Sequence, residues 1–336
     1  MANMTPKERV LAALDRKKLD RPPVVCFTQI ATVDAMDAVK VYWPDAHTDP
    51  HKMATLAAAP SKVFGFECVR LPFCLTVEAE VGGCRVDLGK MDRTPMVKSH
   101  VFDESNIPDD LPADFMTKGR IPVVIEAVKI AKQEFGKELP IVAGTTGPFT
   151  IAGHLVGTEN LLLWIITNPE AVVKALKLAT KLERSYIGAL AKAGADVIVM
   201  SDPSASTDML SGEMFDEYAA PYIIESFKDA GNAKKVLHIC GDTTLLLDHM
   251  IKTGVNGLSI EEKVSPEKAV QIVNGRAALV GNVGVVRPLL QGTTEDVLRD
   301  ATRVKNAGFN LVGPGCGLAA RVPKANIEAL IKAVKG

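Results

Sequence analysis

The chain has 336 residues, 47% hydrophobic and 24% charged, with 39 lysines and arginines against 40 aspartates and glutamates. That is ample length for one large core or two ordinary domains. A net charge of −1 leaves no electrostatic footprint for nucleic acid or an anionic membrane surface. Apolar stretches such as Leu161 to Ile166 are too short to span a bilayer, and the start Met-Ala-Asn-Met-Thr-Pro lacks the basic-then-apolar pattern of a signal peptide. The cysteines at 26, 68, 74, 84, 240 and 316 form no disulfide framework, so a reducing, cytoplasmic setting is expected.

Thr5-Pro6-Lys7-Glu8 is a capping box with proline at the first helical position and predicts a short N-terminal helix. Strand-like runs then follow at Pro23–Phe27, Cys68–Leu71, Pro140–Gly144, Val197–Met200, Lys235–Cys240, Gly257–Ile260, Ala278–Val283 and Leu311–Gly313. Helical stretches lie between them, the longest carrying Val172, Leu176, Ala179, Leu182, Tyr186 and Leu190 at near-helical spacing behind an Asn168-Pro169 start. One stretch breaks the rhythm: Thr76 to Val101 alternates apolar and polar residues around Gly82-Gly83 and reads as an inserted β-hairpin. Eight strands alternating with helices predict a (β/α)8 TIM barrel in one domain spanning 1–336, with an N-terminal helical extension. A doubly wound open sheet is the alternative, because periodicity does not show closure.

In such barrels the reactive residues gather at the C-terminal ends of the strands. Here the fifth predicted strand ends in His238-Ile-Cys240, the sixth in Ser259-Ile-Glu-Glu262, the seventh in Gly281-Asn282 and the eighth leads into Gly315-Cys316-Gly317. Alternate strand residues share a face, so His238 and Cys240 point to a common place, and the barrel brings Cys316 round to it. One imidazole and two thiolates suit zinc with its fourth position open. Cysteine is also among the most buried residue types, so simple packing is the competing reading of the same residues.

Glu261 and Glu262 are adjacent, so only one of them can face the mouth, where it would fill the open metal position without substrate; a pair of solvated loop carboxylates is the alternative. Arg70, between Cys68 and Cys74, is a candidate for reaching the mouth, with a structural ion pair as the alternative. Asp202, after the fourth strand, is a candidate for orienting substrate, with helix capping as the alternative. Asn282 is a third candidate for substrate binding. Gly144-Thr-Thr-Gly-Pro148 reads either as an anion cradle or as a plain strand-to-helix turn. Gly313-Pro-Gly-Cys-Gly317 looks like a phosphate loop but lacks its Lys-Ser/Thr. His47, His51, His100, His154 and His249 show no metal spacing and are expected mostly at the surface or at caps.

His238-Ile-Cys-Gly, Leu258-Ser-Ile-Glu-Glu-Lys263, Leu279-Val-Gly-Asn-Val283 and Gly313-Pro-Gly-Cys-Gly317 resemble the methylcobamide:coenzyme M methyltransferases of the uroporphyrinogen decarboxylase superfamily. Trp43-Pro-Asp-Ala-His-Thr-Asp49, Val69-Arg-Leu-Pro-Phe-Cys-Leu-Thr-Val77 and Gly119-Arg-Ile-Pro-Val-Val-Ile-Glu126 fit the same proteins, so the resemblance spans nearly the whole chain. It implies a TIM barrel with a corrinoid protein docking over the C-terminal mouth. It also implies zinc (Zn2+) on His238, Cys240 and Cys316, with Glu261 as a replaceable fourth ligand. The expected reaction moves a methyl group from a methylcobamide, carried on that partner, to a zinc-bound thiol, with coenzyme M the first choice. Alternatives are a substrate-side enzyme methylating the corrinoid from a methoxy compound or methylamine, and corrinoid-to-tetrahydrofolate transfer. Porphyrinogen decarboxylation fits less well, because Val24 to Thr32 carries none of the arginines that a polycarboxylate would need.

Overall fold

Strand β1 (Val69–Leu71) begins a parallel sheet that continues through β4 (Ile141–Thr146), β5 (Val197–Ser201), β6 (Lys234–His238), β7 (Gly257–Ile260), β8 (Ala278–Val283) and β9 (Leu311–Pro314). Two short strands between β1 and β4, namely β2 (Val86–Asp87) and β3 (Met96–Val97), pair antiparallel with each other and stand apart from it. The computed structural model describes residues 4–336. Every residue of β1, β4, β5, β7, β8 and β9 is buried, as expected where helices cover a parallel sheet from outside.

The first predicted strand, Pro23–Phe27, is in place but hardly paired. Val24 bridges Val312, Val25 N–H donates to Val312 O at 2.9 Å, and Glu67 N–H, just before β1, donates to Val24 O at 2.8 Å. The segment therefore lies between β9 and β1 and closes the sheet into a barrel, which excludes the open-sheet alternative. Pro22 and Pro23 have no N–H to give to a ladder, so a regular strand does not develop.

Helices flank the barrel as the apolar periodicity predicts. In the helix Pro169–Ala193 the stripe Val172, Leu176, Ala179, Leu182, Tyr186 and Leu190 is buried, and the Asn168 side chain accepts from Ala171 N–H at 3.3 Å. The helix Pro6–Leu14 carries the predicted capping box, with Thr5 Oγ1 accepting from Glu8 N–H and Glu8 accepting from Thr5 N–H. Leu14 packs against Gly257 at the first residue of β7. Beside it, buried Glu67 accepts from Arg9 at 2.5 Å, from Arg21 at 2.7 Å and from Val24 N–H at 2.9 Å. Helix and ion-pair cluster thus seal the N-terminal end of the barrel and leave the other end for chemistry.

The inserted hairpin is smaller than predicted. Val77–Val81 is a helix that ends at Gly82, and the hairpin proper is β2 and β3 joined through a Lys90–Arg93 bridge. Val-Glu-Ala-Glu-Val alternates as a strand would, but Glu78 is buried and accepts from Thr146 N–H at 2.8 Å and Thr146 Oγ1 at 2.9 Å. Its alternation therefore does not mark one wet and one dry face. Among the described residues no single helix is long and apolar enough to cross a membrane.

Candidate active site

His238 is the last residue of β6, and its ring is held from behind by β7. Its Nδ1 lies 3.1 Å from the Ser259 carbonyl oxygen, which accepts only, so Nδ1 carries the proton and Nε2 presents a lone pair. Nε2 faces Cys240 Sγ at 3.4 Å and Cys316 Sγ at 3.6 Å, and the two sulfurs are 3.8 Å apart. A tetrahedral metal about 2.3 Å from sulfur and about 2.0 Å from nitrogen separates two sulfurs by about 3.8 Å and sulfur from nitrogen by about 3.5 Å. The three donor atoms thus already form one face of such a tetrahedron. Both cysteines are two residues beyond their strands, Cys240 after β6 and Cys316 after β9, so the loops complete what the strands begin.

Contacts within the cluster shift its two thiols in opposite directions. The Cys316 thiol is held well below its ordinary range by the hydrogen bond it receives from Cys240, against the cost of burial, with His238 adding to the effect. Cys240 is pushed up by the same contact and by burial. Glu261 is half-buried beside the two sulfurs, and burial followed by the Cys316 charge raises its carboxyl above the usual range, with Gly241 N–H opposing. Glu262 turns away, its Oε2 buried without a partner near Gly315, so of the two adjacent carboxylates only Glu261 addresses the thiols.

The cluster opens onto a cavity of about 640 Å³ at the C-terminal end of the barrel. His238, Cys240 and Cys316 form one part of its wall, and Arg70, Ser201 and Thr150 form another. The segment Thr94 to His100, which contains β3, makes its roof. Sequence reasoning missed this roof and also His154 in the wall. An insertion directly after a barrel strand, at the end where chemistry collects, was the available signal for the roof. Glu261 lies outside the cavity wall.

The structure distributes the three candidate substrate residues unequally. Arg70 lines the cavity, as the sequence suggested, and no ion pair is formed by it among the described residues. Asp202 does not line it: its carboxylate accepts from Thr150 N–H at 2.8 Å, Thr150 Oγ1 at 2.7 Å and Phe149 N–H at 3.3 Å. It caps the helix Pro148–Val156, and burial raises its pKa to about 6. Asn282 is buried behind the cluster, donating through Nδ2 to Glu261 O at 3.0 Å and Val264 O at 2.8 Å, so it clamps the loop that carries Glu261.

Both glycine-rich motifs resolve into packing. In Gly144-Thr-Thr-Gly-Pro148 the Thr146 N–H goes to Glu78 and the Gly147 N–H to the Ser201 carbonyl, which makes it a strand-to-helix turn. In Gly313-Pro-Gly-Cys-Gly317 a Cβ at Gly313 would fall on the Val25 carbonyl, and one at Gly315 would press on the Glu261-Glu262 loop. His47 departs from the surface expectation: it is fully buried, stacked 5.4 Å from Trp43, and burial lowers its pKa to about 3.

With this geometry in view, the comparisons with known proteins are direct. A profile described as Uroporphyrinogen decarboxylase (URO-D) matches residues 5–336. The chain belongs to the uroporphyrinogen decarboxylase family. Within that family it is 40% identical to the methylcobamide:CoM methyltransferase MtbA of Methanosarcina acetivorans, over 100% of this chain and 99% of that one. It is 37% identical to the methylcobamide:CoM methyltransferase MtaA of Methanosarcina barkeri, over 99% of this chain and 98% of the relative. A solved methyltransferase from Methanosarcina mazei superposes with a TM-score of 0.93 at 39% identity, covering 98% of each chain. The resemblance drawn from the motifs is borne out, and so is the TIM barrel it implied.

Proposed function

We propose that this chain is a methyltransferase that moves a methyl group from a methylated corrinoid to the sulfur of coenzyme M, with zinc bound by His238, Cys240 and Cys316. The observation that carries the reading is the His238–Cys240–Cys316 triangle of 3.4, 3.6 and 3.8 Å, set at the mouth of a cavity large enough for a small thiol. The names of the 40% and 37% identical relatives supply the donor and the acceptor.

The donor set suits zinc by chemistry as well as by distance: two sulfurs and one neutral imidazole nitrogen leave a position for substrate. When bound, zinc holds the incoming thiol as a thiolate, which is the nucleophilic form. The rest falls to the chain. The Ser259 carbonyl keeps the His238 proton on Nδ1 and leaves Nε2 as donor. As zinc ligands, Cys240 and Cys316 would be thiolates whose two negative charges offset the metal's, so the site as a whole would not be strongly electron-withdrawing toward a third sulfur. The Glu261 carboxylate, beside both sulfurs, serves as the exchangeable fourth ligand and accepts the proton that the substrate thiol releases. Asn282 fixes the backbone from which Glu261 reaches out.

The donor's methyl group arrives on a corrinoid-carrying protein that docks at the C-terminal mouth. In support of this, Met209, Leu245 and Val286 stand 40%, 80% and 51% exposed on the connections that follow β5, β6 and β8, at that end. The reading treats the whole chain as one catalytic unit working in the cytoplasm. The test is to load the protein with zinc and mix it with methylcobalamin and coenzyme M. The expected result is the cob(I)alamin spectrum together with the methyl thioether. Protein that holds one zinc per chain and methylates no thiol refutes the proposal.

A further inference from the structure

Buried arginines usually come with a carboxylate, because an uncompensated charge in a low-dielectric interior is costly. Arg120 follows that rule: its Nε donates to Glu80 at 2.7 Å and its Nη2 to Thr76 Oγ1 at 2.8 Å. Arg70 breaks it. It is 2% exposed, and among the described residues its guanidinium makes one hydrogen bond, from Nε to the Phe27 carbonyl at 3.1 Å, while Nη1 is buried with no partner. Cys26 and Cys68 lie close but are pushed up by burial to about 11 and about 12, so they remain neutral thiols and offer no counter-charge.

The same side chain lines the cavity that the metal-competent cluster opens onto, and no aspartate or glutamate lines that cavity. Lys98, in the roof, has Asp87 at 3.8 Å to balance it. Arg70 is also deliberately accommodated: a Cβ at Gly144 on β4 would overlap its Nη2, so only glycine there lets the guanidinium lie across the barrel floor. It projects from β1, which the ring separates from β6 by β4 and β5 and from β9 by the Pro23–Phe27 segment.

We propose that Arg70 is the receptor for the anionic head group of the thiol substrate, fixing that head at the β1 side of the cavity so that the sulfur points to His238, Cys240 and Cys316. This rests on the thiol-methylation reading above and adds the residue that selects among thiols by the sulfonate or carboxylate at their other end. A forked guanidinium with free donors matches such an oxyanion.

The head group is tested separately from the chemistry. Ethanesulfonate carries the head but no sulfhydryl, and its binding is followed by ligand-detected NMR, which needs neither metal nor corrinoid. Wild type is expected to bind it, Arg70→Lys more weakly, and Arg70→Gln about 10- to 100-fold more weakly, the usual value of a charge-assisted hydrogen bond. Unchanged affinity in folded Arg70→Gln overturns the proposal. Should that variant fail to fold, wild type alone decides: coenzyme M must be used with at least tenfold higher kcat/KM than 2-mercaptoethanol, and equal values overturn the proposal. Replacing the sulfonate by 3-mercaptopropionate separates sulfonate from carboxylate selectivity. Arg70-dependent ethanesulfonate binding without methylation of any thiol would keep the head-group site and sink the methyl-transfer reading.

Discussion

Cys316→Ala tests the metal centre most directly, because it removes one corner of the triangle and leaves the other two intact. His238 and Cys240 remain 3.4 Å apart, but two ligands no longer define a tetrahedral face. Zinc on sites rich in thiolate binds with roughly 10 to 16 kcal/mol, so one ligand of four is worth about 3 kcal/mol, a loss on the order of a hundredfold in affinity. The fold should hardly notice, since Cys316 is only partly buried in the loop after β9, and removing one sulfur there costs about 1 kcal/mol or less. Zinc is counted by mass spectrometry after dialysis against a competing chelator at a concentration that wild type just withstands. Wild type should keep one zinc per chain, while Cys316→Ala and Cys240→Ala should lose nearly all of it with unchanged circular dichroism. Cys84→Ala is the control, because that thiol is buried against the His154 carbonyl at 3.3 Å, outside the cluster. Equal zinc retention in Cys316→Ala and wild type would refute the assignment.

Glu261→Gln keeps the three primary donors but removes the proton acceptor, so zinc content should hold while the single-turnover rate with coenzyme M falls about 10- to 100-fold. An unchanged rate removes Glu261 from the mechanism. Leu245→Glu places a charge on an apolar side chain that is 80% exposed at the mouth. It should raise the KM for a corrinoid protein about tenfold and leave turnover of free methylcobalamin alone; equal effects on both substrates argue against docking there. Glu183 is fully buried with neither carboxylate oxygen partnered among the described residues, and burial together with nearby Glu78 raises its pKa well above the ordinary value. A raised folded-state pKa means the folded protein holds the proton more tightly, so that stability is complete below the ordinary carboxylate range and drains away as pH rises above it. Urea melts at several pH values should show wild type weakening toward alkaline pH and Glu183→Gln weakening less. Parallel curves for the two proteins refute the assignment.

The residues best read from the sequence were those whose chemistry is rare. His238, Cys240 and Cys316 stand out because few residue types bind zinc, and barrel topology explains how Cys240 and Cys316, far apart in the sequence, come together. The alternation rule pointed the right way even though the strand stops at His238 and Cys240 lies in the loop. What the sequence hid was the destination of ordinary polar groups. Asp202 and Asn282 sit at strand ends like catalytic residues, but their hydrogen bonds go to a helix start and to a loop. Only the coordinates distinguish a carboxylate facing substrate from one facing backbone N–H groups. Val77 to Val81 misled for a related reason. Its period-two pattern carries a glutamate that is buried by a long-range bond to Thr146, and local alternation cannot reveal a partner 68 residues away.

The strand order divides the labour of the barrel. Strand β6 supplies His238 and leads to Cys240; β7 supplies the Ser259 carbonyl and leads to Glu261; β8 supplies the Asn282 clamp; and β9 leads to Cys316. Four consecutive strands therefore build, orient and brace one sulfur-rich cluster, and its acidic residue stands behind the sulfurs instead of in the cavity. The other half of the ring contributes Arg70 from β1, given room by Gly144 on β4. A sulfur-rich, metal-competent cluster on one wall and an unpaired guanidinium on another impose a direction on a substrate that has an anion at one end and a sulfur at the other. In the reversed orientation the anion would leave the buried Arg70 guanidinium without a counter-charge. A neutral thiol feels no such bias, which is why charge at the head group, more than length, should decide which thiols this barrel methylates.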